Sequence, residues 1–295
     1  MVGLILHGGC HDLPPSEKER LLTQGGVNTY GEMGYRMLQE GASAIDVVEK
    51  VVSAMEDDPL FDAGTGSFRN LNGIVEMDAM IMDEQQNCGA VQCIQNVQNP
   101  IKVARAVLEK TPHAILSGSG AEQFARLQGF PFYDPSLNAH DYGFENDQGR
   151  QRMLRDIQYY MEAVRANDHV FSTVGIVALD EAGRLVAATS TGGIRMKMPG
   201  RVGDSAIPGA GTYCNGAIGL SATGEGEKIL RLCLTYQIAQ DYMASHDLTR
   251  SCTRNIAHAS DIDGICGVIA LTKTGEFSFA HNGVFMPVYY TSTKL

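Results

Sequence analysis

The first candidates for chemistry are two threonines, Thr173 and Thr191, which flank a predicted β-hairpin. Apolar residues fill 174–177 and 185–188, and the segment 180–183 between them ends in glycine, as turns often do. A simple antiparallel register about this turn sets the two threonines opposite each other, with their hydroxyls at cross-strand contact distance. Because threonine is a common strand residue, the pairing alone indicates only a hairpin.

The position of Thr173 in the chain gives it a second property. It follows a polar segment, residues 133–169, which we predict to be an exposed linker with a helical part over 150–166. Cleavage between Ser172 and Thr173 would turn the threonine into a new N-terminus. A free α-amine has a pKa of about 7.7 to 8.0, so at neutral pH it can accept the proton of its own residue's hydroxyl. One residue would then supply both nucleophile and base, and none of the eight histidines lies in a recognisable nucleophile motif.

Two further segments carry groups that such a nucleophile needs. Thr223 and Gly224 precede a predicted helix, where hydroxyl and backbone N–H groups can stabilise an oxyanion. Arg201 and Asp204 are three residues apart and suit the carboxylate and the ammonium group of an amino-acid substrate. Glycine-rich turns before helices are also frequent without any chemistry, and an exposed ion pair explains Arg201 and Asp204 equally well.

The elements that would position these residues alternate between strand and helix patterns. Helical apolar spacing appears after Ser43, which with Asp46 predicts a capping box, and Pro100 suits a first helical turn. The region 61–83 is predicted to contain short strands separated by glycine turns. The predicted elements are a strand over 2–6, helices over 43–55, 100–108 and 227–243, the hairpin around 180–183 and a last hairpin pairing 264–271 with 276–281.

Composition excludes several classes of protein. The 295 residues include 23 basic and 34 acidic ones, a net charge of -11, and no basic block, so nucleic acid is an unsuitable partner and small molecules or peptides fit better. No apolar run is long enough to cross a bilayer, and the first residues lack the features of a signal peptide, which predicts a soluble, cytoplasmic protein. The seven cysteines contain no C-x-x-C pair and are predicted to be reduced thiols.

The motifs together carry a resemblance that extends over nearly the whole chain. The chain resembles the plant-type asparaginase and isoaspartyl aminopeptidase branch of the N-terminal nucleophile hydrolases, which use a threonine. The segments that carry the resemblance, in the family's order, are DDPLFDAGTGS, VEMDAMIMD, NPIKVARAVLEKTPH, GSGAEQFARLQGF, STVGIVALD, ATSTGGIRMKMPGRVGDSAIPGAG and SATGEGE.

This resemblance implies an α+β fold, an αββα four-layer sandwich, in a single domain over 1–295 that cuts itself into pieces 1–172 and 173–295. Similar proteins form dimers of such αβ units. They need no organic cofactor, but a structural sodium ion is usual. The main-chain carbonyls that would hold sodium here are those of Met55, Glu56, Asp58, Phe61, Ala63 and Thr65.

The resemblance also implies roles for the candidate residues. The threonine that matches Thr173 attacks a side-chain amide, the one that matches Thr191 hydrogen-bonds the nucleophile, and Thr223 with Gly224 matches the oxyanion hole. The residue that matches Arg201 binds the substrate carboxylate. The one that matches Asp204 binds its amine, with the carbonyl of Gly226 nearby.

Three positions depart from the family's pattern. Asp62 stands where Asn is usual beside the nucleophile, which would replace a donor with an anion and either raise the pKa of the Thr173 amine or alter the leaving-group preference. Ser172 stands before the predicted scissile bond in place of Gly or Asp, which affects the expected cleavage rate. The first strand ends in HGGCH instead of HGGAG, so Cys10 and His11 can alter the loop, although we interpret Cys10 as structural.

Several alternative functions stay open at this point. The substrate is L-asparagine, a β-aspartyl dipeptide or both. A glycosylasparaginase and a threonine aspartase-like protease share the nucleophile, while an unprocessed, inactive binding protein could use the same fold. The glycine-rich segment 116–121 is only a weak nucleotide-binding pattern, because it lacks the third glycine of a dinucleotide motif and the Lys-Ser/Thr of a P-loop.

Overall fold

A computed structural model describes residues 1–137, 147–165 and 173–293. The helices are α1 Glu17–Gln39, α2 Ala44–Asp57, α3 Pro100–Lys110, α4 Gly118–Leu127, α5 Asp147–Arg155, α6 Ile157–Arg165, α7 Gly226–Leu232, α8 Leu234–Ser245 and α9 Leu248–Ser260. The strands are β1 Gly3–His7, β2 Met77–Asp83, β3 Cys88–Ile94, β4 Ile115–Ser117, β5 Val174–Leu179, β6 Leu185–Thr191, β7 Thr212–Cys214, β8 Ile218–Gly224, β9 Cys266–Thr272, β10 Phe277–His281 and β11 Val288–Ser292. Not one of these helices is both long and apolar enough to span a membrane.

The strands form two sheets that pack face to face. The first sheet has the order β11-β1-β5-β6-β2-β3-β4, and the second has the order β10-β9-β8-β7. Neighbouring strands are antiparallel except β3 and β4. Since β1 pairs with β5, a strand that precedes Thr173 lies directly beside the strand that follows it.

Alternating side chains of the first sheet divide the apolar core into two parts. Leu4, Leu6 and Ile176 belong to the cluster beneath α1, α2 and α3, whereas Ile5 and Val177 belong to the cluster shared with the second sheet. This alternation follows from the two-residue period of a strand. Helices α8 and α9 cover the outer face of the second sheet. The predicted αββα sandwich is therefore confirmed.

The elements around the candidate site match their predictions closely. Helix α2 begins after Ser43, whose hydroxyl accepts a hydrogen bond from the backbone N–H of Asp46, and Pro100 opens α3. Strands β5 and β6 pair in the predicted register, with Val174 opposite Ser190. The last hairpin is β9 and β10.

The prediction of a single helix over 227–243 is wrong, because this segment forms two helices. Cys233 separates α7 from α8 with a φ of 46°, a left-handed conformation that interrupts the helix although apolar residues continue on both sides. The polar segment also contains two helices, α5 and α6. Residues 138–146 and 166–172, including Ser172, lie outside the described part of the chain.

Helices α1 and α9 are not among the predicted elements. The 23 residues of α1 contain four glycines, which interrupt its apolar pattern. Two of the glycines are sites of close packing: a Cβ on Gly31 would lie 2.2 Å from the ring of Tyr289, and a Cβ on Gly34 would lie 2.8 Å from Leu4 and Val51. The residues that weaken the helix signal are thus the ones that let the helix approach the sheet.

Candidate active site

Thr173 immediately precedes β5 and is 7% exposed. Its Oγ1 donates a hydrogen bond to Oγ1 of Thr191, across the β5–β6 pair, over 3.2 Å. The Thr191 hydroxyl also accepts from the backbone N–H of Gly193 at 2.9 Å, which fixes its orientation. The contact between the two threonines that the register predicts is present.

The packing of β8 on β5 brings Thr223 to the same place. A Cβ on Gly219 would lie 2.6 Å from Val177, and a Cβ on Gly175 would lie 1.9 Å from the hydroxyl of Ser221. Strands β5 and β8 therefore run in opposite directions where the two sheets face each other, and one further two-residue step along each strand would lead to Thr173 and Thr223. Within the described residues, the buried Thr223 hydroxyl makes no hydrogen bond.

Gly224 ends β8 in a conformation that favours glycine. Its φ is 125°, and a Cβ there would lie 2.2 Å from the carbonyl oxygen of Ile265. The helix that follows, α7, has only seven residues. The groups available for an oxyanion are thus the Thr223 hydroxyl and the backbone of Gly224, rather than the end of a long helix.

Arg201, Asp204 and Gly226 also lie together. A Cβ on Gly226 would lie 2.7 Å from the Arg201 guanidinium and 2.8 Å from Oδ1 of Asp204, so only glycine lets both approach. Burial raises the pKa of Asp204 to about 7, while the charge of Arg201 opposes that rise. Oδ2 of Asp204 has no hydrogen-bond partner among the described residues. A buried carboxyl with an unused oxygen suits a substrate ammonium group.

Arg201 has a partner that the sequence analysis did not identify. Glu227 binds its guanidinium through two contacts of 2.9 Å each. This two-point geometry is the one that a guanidinium group adopts with a carboxylate. The spacing of the two residues in the sequence carries no signal of the pairing, because a loop and the strands β7 and β8 separate them.

Asp62 lies against Gly192, the residue after Thr191, whereas the resemblance implies a place beside Thr173. Its carbonyl accepts from the N–H of Gly192 at 2.8 Å, and its Oδ1 accepts from the N–H of Phe68 at 2.9 Å. Burial holds the pKa of Asp62 above its ordinary value, and the charge of the buried Lys197 opposes this. The raised pKa favours the neutral carboxyl, whereas the sequence predicted an anion, because the depth of burial is not visible in the sequence.

The loop predicted to hold sodium presents backbone carbonyls at close range. A Cβ on Gly64 would lie 2.3 Å from the carbonyl oxygen of Glu56, and one on Gly66 would lie 2.1 Å from that of Phe61. The carbonyls of Met55, Asp58 and Ala63 accept only long backbone hydrogen bonds, of 3.3, 3.3 and 3.4 Å. Such oxygen donors suit a hard cation. Across the described ranges, no cluster of His, Cys, Asp or Glu side chains is arranged to hold a metal.

The unusual end of the first strand lies at the border of the site. Cys10 is buried and unbridged, and burial raises the pKa of its thiol to about 12, which suits a structural role. His11 stacks on Phe285 and, with Asp62 and Phe68, lines a cleft of about 940 Å³. Among the candidate catalytic and substrate-binding residues, Asp62 is the one that contributes to this cleft.

Comparison with known proteins agrees with the geometry. The chain is 41% identical over 289 residues to the plant-type L-asparaginase of Pyrococcus furiosus, with 96% of this chain and 94% of that protein covered. It is 38% identical over 287 residues to the isoaspartyl peptidase/L-asparaginase of Homo sapiens, covering 96% of this chain and 91% of that protein. Residues 1–294 match the family model described as Asparaginase. The resemblance is confirmed, and the chain belongs to the asparaginase family.

Proposed function

We propose that the chain is an amidohydrolase that frees Thr173 as an N-terminal nucleophile by cleaving the Ser172–Thr173 bond. It then hydrolyses the side-chain amide of L-asparagine or the isopeptide bond of β-aspartyl dipeptides. The observation that carries the proposal is the 3.2 Å contact between the Thr173 and Thr191 hydroxyls. The names of the relatives, L-asparaginase and isoaspartyl peptidase, support a hydrolase of this substrate class.

The chemistry follows from the groups around Thr173. Its free amine takes the hydroxyl proton, and Oγ1 forms a bond to the side-chain carbonyl carbon of the substrate. The Thr223 hydroxyl and the Gly224 backbone stabilise the oxyanion. The C–N bond then breaks, and the proton passes from the ammonium group to the leaving nitrogen, which departs as ammonia or as the amine of an amino acid. Water hydrolyses the resulting ester, releases aspartate and restores Thr173.

Substrate recognition depends on the free α-groups of the aspartyl residue. Arg201 would bind the α-carboxylate in place of Glu227, and Asp204 would bind the α-ammonium group. Both charges are absent from an aspartyl residue within a protein chain. The site therefore supports a small amino-acid or dipeptide substrate over that of a threonine aspartase.

The sodium site belongs to the same proposal. The carbonyls of 55–65 would hold the ion and so stabilise the loop that carries Asp62. Replacing choline chloride with sodium chloride at equal ionic strength should raise the melting temperature of the protein, and an unchanged temperature would remove the site. The assembly into a dimer of αβ units and the cytoplasmic location stay predictions.

Intact-mass measurement with an activity assay tests the function. The wild-type protein should give fragments 1–172 and 173–295 and release aspartate from L-asparagine or a panel of β-aspartyl dipeptides. Thr173→Ala should remain one chain without turnover, while Thr253→Ala, at an exposed helical threonine, should behave as the wild type. A persistently single, inactive wild-type chain would favour the inert binding protein, and turnover by Thr173→Ala would refute the nucleophile.

A further inference from the structure

A chain of buried polar side chains crosses the sandwich behind Thr173. Nε2 of His7 lies 3.0 Å from Oγ of Ser221, which lies 2.7 Å from Oγ1 of Thr189. Oγ1 of Thr212 follows at 2.6 Å from Thr189. These four side chains come from β1, β8, β6 and β7, so they connect both sheets, and all four residues are fully buried.

Both ends of this series of side chains meet backbone groups. At one end, Nδ1 of His7 accepts from the N–H of Gly9 at 3.4 Å, and Nε2 faces the Ser221 hydroxyl. At the other end, Oγ1 of Thr212 lies 2.9 Å from the carbonyl oxygen of Ser205, which can only accept. The Thr212 hydroxyl can therefore donate either to this carbonyl or to Oγ1 of Thr189, and Oγ1 of Thr189 also lies 3.4 Å from the carbonyl oxygen of Gly211.

Both ends of the chain reach the proposed active site. The His7 ring also hydrogen-bonds the backbone of Thr173, and burial lowers the pKa of His7 to about 3, so the ring stays neutral at physiological pH. At the far end, Ser205 directly follows Asp204. The chain therefore links the main chain of the nucleophile to the loop that carries the carboxyl for the substrate amine.

Gly175 leaves the space in which the chain begins. A Cβ at this position would lie 1.9 Å from Oγ of Ser221 and 2.4 Å from Nε2 of His7. Gly175 is the second residue after Thr173 and pairs with His7 across β1 and β5. Strand β5 thus carries no side chain at the point where His7 and Ser221 meet. A larger residue at position 175 would overlap both groups and disrupt their contact.

We propose that His7, Ser221, Thr189 and Thr212 act together as positioning residues that hold Thr173 in the orientation needed to attack the substrate. This proposal rests on the proposed function. None of the four is proposed to touch the substrate. Their loss should therefore lower kcat while KM changes little, because a small displacement of a nucleophile is costly to the chemical step.

The test uses Thr189→Val, which keeps the shape of the side chain and removes the hydroxyl in the middle of the chain. Turnover of L-asparagine and a β-aspartyl dipeptide is measured per mole of cleaved protein, with the cleaved fraction taken from intact mass. We expect kcat to fall by about 10- to 100-fold, with KM within about twofold. Thr235→Val is the matched control, because Thr235 is equally buried and its hydroxyl makes no hydrogen bond within the described residues.

Two further variants separate positioning from a general loss of packing. In Thr189→Val/Thr212→Val, kcat should stay within about twofold of that of Thr189→Val, because the first substitution already interrupts the series of hydrogen bonds. If the two substitutions caused independent packing defects, their effects on kcat would multiply. His7→Gln, which can still donate near the position of Nε2, should retain more kcat than His7→Leu. The comparison of the two His7 variants also applies if Thr189→Val does not fold.

The outcomes distinguish this proposal from the proposed function. Wild-type turnover with an unchanged kcat in Thr189→Val, or an effect confined to KM, would overturn the positioning role alone. An equal loss of kcat in Thr235→Val would also overturn it. A wild-type protein that neither cleaves itself nor turns over substrate would overturn the proposed function, and the positioning role would fall with it.

Discussion

The Arg201 guanidinium is held by the Glu227 carboxylate through two parallel contacts, Nε to Oε1 and Nη2 to Oε2, each of 2.9 Å. The Arg201 side chain is 13% exposed and that of Glu227 is 49% exposed, so the arginine is the fixed partner and the glutamate is the one that water can reach. In the proposed reaction a substrate carboxylate must displace Glu227 before it can bind. Breaking this ion pair therefore reduces the net free energy gained when the substrate binds.

Replacing Glu227 by glutamine should strengthen substrate binding. Glutamine leaves a neutral competitor on Arg201, so KM for L-asparagine should fall by about 3- to 10-fold, an effect on the order of 1 kcal/mol. Steady-state kinetics measures the change, with Glu181→Gln in the exposed β5–β6 turn as the control. Arg201→Ala should have the opposite effect and raise KM. A higher KM in Glu227→Gln would instead show that Glu227 orients the arginine.

Asp204 should make the stability of the protein depend on pH. Burial raises its pKa from an ordinary value near 3.8 to about 7, so between these values the folded state holds a proton that the unfolded state has lost. The contribution of Asp204 is thus present in full below the unfolded pKa and is lost as the pH rises through about 7, at up to roughly 1.4 kcal/mol per pH unit.

Urea unfolding at pH 5, 6, 7 and 8 can measure this slope. The Thr173→Ala background is suitable, because its single chain should keep unfolding independent of fragment association. Adding Asp204→Asn removes the titrating group, so the free energy of unfolding should fall less steeply with pH than in the parent. Equal slopes in the two proteins would show that Asp204 is ionised in the folded state throughout this range.

The Thr191 hydroxyl should matter to the chemical step. Valine keeps the shape of the side chain but removes the contact with Thr173 and the acceptor for the Gly193 N–H. We expect kcat in Thr191→Val to fall by about 100-fold or more, in the range for loss of one preorganised polar contact, with KM nearly unchanged. Thr191→Ser, which retains the hydroxyl, should recover most of the activity, and equal losses in both variants would assign the effect to packing.

Gly64 should be far less tolerant of a side chain than Gly41. Both have a left-handed φ, 58° and 88°, but a Cβ on Gly64 would lie 2.3 Å from the Glu56 carbonyl oxygen, while nothing lies within 4 Å of one on Gly41. Gly41→Ala should cost about 1 kcal/mol of stability from backbone strain, and Gly64→Ala about 3 kcal/mol or more from the added overlap. Thermal unfolding measures the loss of stability in both variants. Equal losses would mean that the loop of 55–65 can shift to accommodate the added methyl group.

Local patterns predicted the parts of the structure that local physics controls. The hairpin register came from the turn at 180–183, and it brought Thr173 opposite Thr191 as observed. Helix α3 begins at Pro100 and α2 begins directly after Ser43, because proline suits the first helical turn and the serine hydroxyl caps free N–H groups. The patterns missed α1, because its glycines reflect contacts with residues far along the chain, such as Gly31 with Tyr289.

The sequence by itself determined the contact between Thr173 and Thr191 and, through its ordered motifs, the family, and it singled out Arg201 and Asp204 as candidate binding groups. Only the tertiary structure decided how deeply those groups are buried and which other groups they meet. Glu227 reaches Arg201, and His7 connects with Ser221, because segments that are distant in the sequence meet in the fold. Burial and the pKa changes it causes depend on all the neighbours of a group at once, and most of those neighbours are distant in sequence.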